Sequence, residues 1–184
     1  MIEGFSGEPE TIWDGSRNMT LKKELTYIDP DGKKWVAPVD SFVNGATIPR
    51  PLWTAIGSPY AGKYRRASVI HDYHVGEGYN PDVTPEQRKA ADKMFYHACR
   101  FDGCSRRFAA LLYIGVRFGS IISGWGAQYQ AVVYGEVDED VRKSPLYDEI
   151  LTKYWEIVDE AGSAVEDGQL DVLDEIIESK LNPF

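Results

Sequence analysis

The sequence predicts an α+β fold: a small N-terminal antiparallel sheet, a bundle of three core helices, and an acidic helical C-terminal tail. Three observations predict it. Apolar and polar residues alternate around turn signals before about residue 48, apolar residues recur at three- and four-residue spacing from Tyr64 onward, and the last 50 residues combine helical periodicity with 15 acids against 4 bases. The natural division is a core domain over residues 1–127 and a helical extension over 128–184.

The sheet is expected between about residues 10 and 48. In "TLKKELTYIDPDGKKWVA" (20–37), Leu21, Leu25 and Tyr27 alternate before Asp29-Pro30-Asp31-Gly32, and Trp35 and Ala37 resume the alternation after it. Proline presets such a turn and glycine accepts its positive φ, so the stretch reads as a hairpin. "SFVNGATIPRPLW" follows; its prolines at 49 and 51 exclude a helix or central strand and predict an ordered loop from Thr47 to Pro51.

From Tyr64, the apolar positions Ala67, Val69, Ile70 and Tyr73 give a first helix, which "GEGYNPD" ends. The second opens at "TPEQ": Thr84 suits the cap, Pro85 the first helical position and Gln87 the reciprocal partner. It should run to about Arg100, ahead of Gly103. A third begins near Ser105 and carries Phe108, Leu111, Leu112, Gly115 and Val116 on a wide apolar face. Ser144-Pro145 opens a further helix, and "EDGQLDVLDEIIESKL" closes the chain as an acidic amphipathic one. These acidic helices suit contact with a protein partner or self-association.

Composition excludes several classes. The 184 residues carry a net charge of −9, which argues against a double-stranded nucleic-acid binder with a broadly basic surface. Outside the acidic end, 14 acids face 16 bases, so a small anionic ligand fits that part. Two cysteines, Cys99 and Cys104, do not make a secreted disulfide framework or a structural zinc site. "MIEGFSGEPE" has neither the basic nor the apolar region of a secretory signal, and the expected location is the cytoplasm. The apolar stretch 108–125 is interrupted by Gly115, Arg117 and Gly119 and reads as a buried helix, not a membrane span.

The chemistry-bearing residues concentrate in His71-Asp72-x-His74. His71 and His74 face one region from neighbouring turns, and Asp92 lies at the edge of the apolar face of the next helix, where a buried carboxylate needs a partner. If the two helices pack antiparallel, Asp92 meets His71 or Asp72. His, Asp and Asp can ligate a divalent ion, or an aspartate can orient a histidine base. They can equally be a helix cap and a core tie, with Asp92 pairing Arg117 or Arg66. On the Thr47-Ile48-Pro49-Arg50 loop, a hydroxyl and a guanidinium suit an anionic group, and Arg66, beside Arg65, adds local charge. The same residues also fit turn closure and ordinary surface pairing. The sequence holds no G-x-S-x-G elbow, Walker loop, G-x-G-x-x-G fingerprint or H-E-x-x-H pair, and the spacing of His97 to Cys99 disfavours a cysteine nucleophile.

"FVNGATIPRPLW", "YRRASVIHDYHV", "RKAADKMFYHACRFDG" and "LLYIGVRFGSIISGW", in that order and separation, resemble the domain-of-unknown-function family 1353 (DUF1353), common in tailed phages and prophages. The resemblance spans roughly residues 5–127. The family's signature positions fall here on Thr47, Pro49, Arg50, Ala67, His71, Asp72, Tyr73, Ala91 and Asp92. The chain departs at His74-Val75, where the pattern has an apolar residue and a tyrosine.

Together these readings lead to the expectation of a phage- or prophage-type, metal-assisted hydrolase of a phosphodiester-like substrate. Asp72 and Asp92, with His71 as base or further ligand, would hold a divalent ion. Thr47, Arg50, His74 and Arg66 would contact the substrate. The alternative is a non-catalytic accessory protein that binds a small anionic ligand or a host or virion protein. The resemblance places either in the host cytoplasm, with virion association the other possibility.

Overall fold

The computed structural model describes residues 3–13, 18–45, 48–53, 62–76, 82–134 and 143–181. It is α+β, with antiparallel sheets followed by helices. The chain forms two compact units, the first from residues 1–46 and 59–104, the second from 47–58 and 105–184.

In the first unit, β1 (Gly4–Phe5), β4 (Leu25–Ile28) and β5 (Lys34–Ala37) make one antiparallel sheet in the order β1-β4-β5. The expected hairpin is β4-β5, with Leu25 opposite Ala37 and Tyr27 opposite Trp35, so the alternating apolar residues share one buried face. Asp29 shapes the turn: its Oδ1 accepts from the Asp31 and Lys33 amides, while its Oδ2 accepts from Trp35 Nε1 at 2.8 Å. Gly32 takes the positive φ of 81°. The remaining strands, β2 (Thr11–Trp13), β3 (Met19–Leu21) and β6 (Phe42–Val43), form a second sheet in the order β2-β3-β6. β-structure is thus split in two, because β3 ends at Leu21 and its pairing passes to the residues after β5, with the Leu21 amide donating to Ser41 O.

Helices α1 (Arg65–Val75) and α2 (Pro85–Phe101) complete this unit. α1 packs on β4, β5, β6 and α2, presenting Ala67, Ile70, His71 and Val75 inward. α2 begins with the full capping box: Thr84 accepts from the Gln87 amide, and the Gln87 side chain accepts from the Thr84 amide. Its buried positions Arg88, Ala91, Asp92, Phe95, Ala98 and Cys99 repeat at three and four residues, the stripe a core helix needs.

The second unit begins with a 3-10 turn (Arg50–Leu52) and is otherwise helical: α3 (Arg106–Ile122), a short 3-10 turn (Ser123–Trp125), α4 (Ala127–Tyr134), α5 (Pro145–Ala161), α6 (Ser163–Asp167) and α7 (Leu170–Leu181). Arg106–Trp125 is apolar and long enough to cross a membrane by composition, but 72% of its most apolar window is buried within the chain. α3 packs against α5, α6 and α7, so the third helix of the expected bundle shares its unit with the acidic C-terminal helices. Its wide apolar face explains this, since Ile150, Tyr154, Ile157, Leu173 and Ile177 are the buried stripes of α5 and α7.

The acidic character of α7 also has a structural use. Arg117, the charge that interrupts the apolar α3, is 4% exposed; its Nε lies 3.3 Å from Asp174 Oδ1 and its Nη2 3.1 Å from Glu178. The Tyr113 hydroxyl donates to the same Asp174 oxygen at 2.5 Å. Thr84→Ala should lower stability by about 1 kcal/mol through loss of the cap. Asp174→Ala, which leaves a buried guanidinium short of its counter-charge, should cost about 3 kcal/mol or more. Urea unfolding followed by circular dichroism measures both.

Candidate functional site

The α1–α2 contact brings together two residues of the sequence cluster. His71 and Asp92 are both fully buried, and His71 Nε2 lies 2.7 Å from Asp92 Oδ1. The carboxylate is an acceptor, so Nε2 carries the proton and donates, and in the neutral ring the lone pair sits on Nδ1. Nδ1 is buried and has no hydrogen-bond partner among the described residues. The Phe95 ring, one turn beyond Asp92, packs at 5.2 Å from the imidazole and fixes its plane. Such a ring, held through one nitrogen and unsatisfied at the other, has the form of an oriented base.

Asp72 is placed differently. Its Oδ2 accepts from the backbone amides of Asn44 at 3.1 Å and Gly45 at 2.8 Å, tying α1 to the end of β6. The Asn-Gly pair makes this possible, since Gly45 turns with φ of 91°. Among the described residues, no three His, Cys, Asp or Glu side chains gather into a group that could hold a metal ion.

His74 sits one turn beyond His71, edge-on to Trp35 at 4.9 Å. One ring nitrogen bonds the Val36 backbone, while Nε2 is buried without a partner among the described residues. Burial, with His71 and Lys33 nearby and against the Val36 bond, lowers its pKa to about 4. It lines a groove of about 430 Å³ edged by Lys33, Lys34, Trp35, Asp82 and Glu86. Arg66 makes a two-pronged pair with Asp102, meets Glu8 at 3.2 Å and stacks over Phe5, so its charge is engaged within the first unit. Arg50 belongs to the second unit, in the 3-10 turn, its guanidinium 4.3 Å from the Trp53 ring. Thr47 lies outside the described residues.

Asn44 and Gly45 escaped the sequence reading as partners of Asp72, although the Asn-Gly turn signal was visible. Asp102 was missed as the partner of Arg66 because nothing local links them.

The depressed His74 pKa has a pH consequence. Below about pH 6.5 the unfolded chain takes up a proton that folded His74 resists until about pH 4, so stability should fall as pH drops through this window. Thermal unfolding midpoints measured from pH 7 to 4 should decline less steeply in His74→Gln than in the parent chain.

Comparison with known proteins places the sequence that carries this site in a family. A family model described as "Protein of unknown function (DUF1353)" matches residues 19–116, a range that contains His71, Asp72 and Asp92. The chain is similar to the uncharacterized protein y4jT of Sinorhizobium fredii (strain NBRC 101917 / NGR234), 36% identical over 98 residues, covering 52% of this chain and 27% of that protein. It is also similar to the uncharacterized protein y4iH of the same strain, 30% identical over 126 residues, covering 66% of this chain and 50% of that one. The chain thus spans half or less of the length of these curated relatives. No solved structure matches it. With more than half of its length covered by the family model, the chain belongs to DUF1353, a family of proteins of unknown function.

Proposed function

We propose that the protein is a hydrolase of a small anionic, phosphodiester-like substrate, with His71 as general base and Asp92 as the group that orients it. The observation that carries this reading is the buried His71 imidazole, bonded to Asp92 through Nε2 and unpartnered at Nδ1. In such a reaction Nδ1 takes a proton from a water molecule as its oxygen attacks phosphorus, and the carboxylate stabilises the imidazolium that forms. The imidazolium then returns the proton to the departing alkoxide. General-base assistance of this kind is worth roughly 10²–10⁴ in rate. Lys33 and Lys34 offer positive charge to an anionic substrate at the groove that holds His74, one turn from His71, with Asp82 and Glu86 on its other edge.

A divalent ion at His71, Asp72 and Asp92 would add charge neutralisation to the same chemistry. Such an ion would compete with the Asn44 and Gly45 amides for Asp72. The phage or prophage setting belongs to this proposal too; the sequence resemblance supports it.

The complete burial of His71 favours a second reading, a non-catalytic protein that binds a small anionic ligand or a host or virion protein, with the His71–Asp92 pair tying two helices. Turnover of bis(p-nitrophenyl) phosphate by the chelator-stripped chain, with and without added Mn²⁺, Ca²⁺ or Zn²⁺, separates the two. Under the hydrolase reading, His71→Ala loses about a hundredfold or more of the rate while circular dichroism shows an intact fold. Absence of turnover in the parent under every condition overturns it. Calorimetric titration of the same ions reports on the metal separately, and loss of binding in folded Asp92→Asn would locate the ion at this cluster.

A further inference from the structure

The end of α2 holds a pair of side chains that the proposed reaction does not use. α2 stops in a two-bond turn: the Gly103 amide donates to Arg100 O at 3.1 Å and the Cys104 amide donates to Cys99 O at 3.0 Å, with Gly103 at φ 84°. This is a Schellman ending, in which the residue two beyond the cap folds back on the residue three before it, and here both positions are cysteine. The two thiols hydrogen-bond each other. Standard bond lengths and the 3.0 Å amide bond cap their Cα separation at about 7 Å, the outer limit at which a disulfide closes without backbone movement.

We propose that Cys99 and Cys104 form a redox site: a dithiol that hydroperoxides oxidise to an intrachain disulfide across the end of α2.

The surroundings assign the roles. The Cys99 thiol donates to Cys104, and Lys63 and Arg100 add positive charge beside it; these draw Cys104 below the usual thiol range, against burial and Asp102. Cys99 is fully buried and pushed well up by that burial. Cys104 therefore supplies the thiolate. Its sulfur attacks one peroxide oxygen, the O–O bond breaks, and the departing oxygen leaves as water or alcohol after taking a proton, which gives a sulfenic acid on Cys104. The Cys99 sulfur then attacks the Cys104 sulfur; the S–S bond forms, the S–O bond breaks, and hydroxide leaves as water with the Cys99 proton. Two thiols are oxidised, one peroxide is reduced, and no other reactant is needed. Gly62, Lys63 and Gly103 line a groove of about 600 Å³ that opens next to this turn, and Cys104, 3% exposed, is the cysteine on the side from which a hydroperoxide would approach.

The sequence offers a direct readout, because Arg100 lies between the two cysteines and Phe101 follows it. The full-length native chain is treated with stoichiometric hydrogen peroxide, alkylated with N-ethylmaleimide and digested with trypsin without reductant. The expected product is "MFYHACR" joined to "FDGCSR", two hydrogens lighter than their sum. It should form about tenfold faster or more in the native chain than in urea, because the fold holds the sulfurs in contact. Cys99→Ser should stop at a dimedone-reactive sulfenic acid on Cys104. Linked peptides that form only in urea, or native chain in which both cysteines remain fully alkylatable after peroxide, would overturn the proposal.

Discussion

A hydrogen bond of 2.7 Å between His71 Nε2 and Asp92 Oδ1 joins two helices whose buried positions are mostly apolar. Neither group could be buried by itself at reasonable cost, since an isolated carboxylate in a low-dielectric interior loses several kcal/mol of hydration. Each therefore fixes where the other must lie. Once α1 and α2 are registered by this pair, Phe95 meets the imidazole face and Asp72 emerges where the amides of Asn44 and Gly45 can reach it. The bond thus sets the register in which β6, the two helices and the buried base meet.

The second unit obeys the same rule with different partners. Arg117 breaks an apolar helix and is buried, which is tolerable only because Asp174 and Glu178 arrive from α7 and Tyr113 shares the Asp174 oxygen. Part of the acidity that composition assigns to the C-terminal helices is thus internal counter-charge. Among the described residues, the remaining acids of α5, α6 and α7 lie on exposed faces.

Buried polar groups also separate function from stability in this chain. Asp72 and Arg66 spend their hydrogen-bonding capacity on backbone amides and on neighbouring carboxylates, which is how a fold uses a charge for its own cohesion. His71 differs, because its Nδ1 is left without a partner inside a packed interface. An unsatisfied buried nitrogen carries a free-energy cost that a purely structural tie would not require. That cost is the physical argument for the proposed chemistry at this histidine; His74 Nε2 shares the lack of a partner, and what sets His71 apart is the bond to Asp92 that orients its ring.

Local pattern was enough to read the hairpin around Asp29 to Gly32, the cap at Thr84 and the start of α3 at Ser105, and it left Asp92 with His71, Asp72, Arg66 or Arg117 as its candidate partners. Each follows from interactions within a few residues or from one helical stripe facing another. The sequence by itself therefore determined the α+β class and the short set of candidates to which His71 and Asp92 belong. Only the tertiary structure decided that Asp72 would turn to Asn44 and Gly45, that Arg66 would be held by Asp102, and that α3 would share a unit with α5 and α7. Those outcomes depend on pairings 27 to 61 residues apart, which no spacing rule encodes. They were selected by the three-dimensional demand that every buried charge and apolar stripe find a partner.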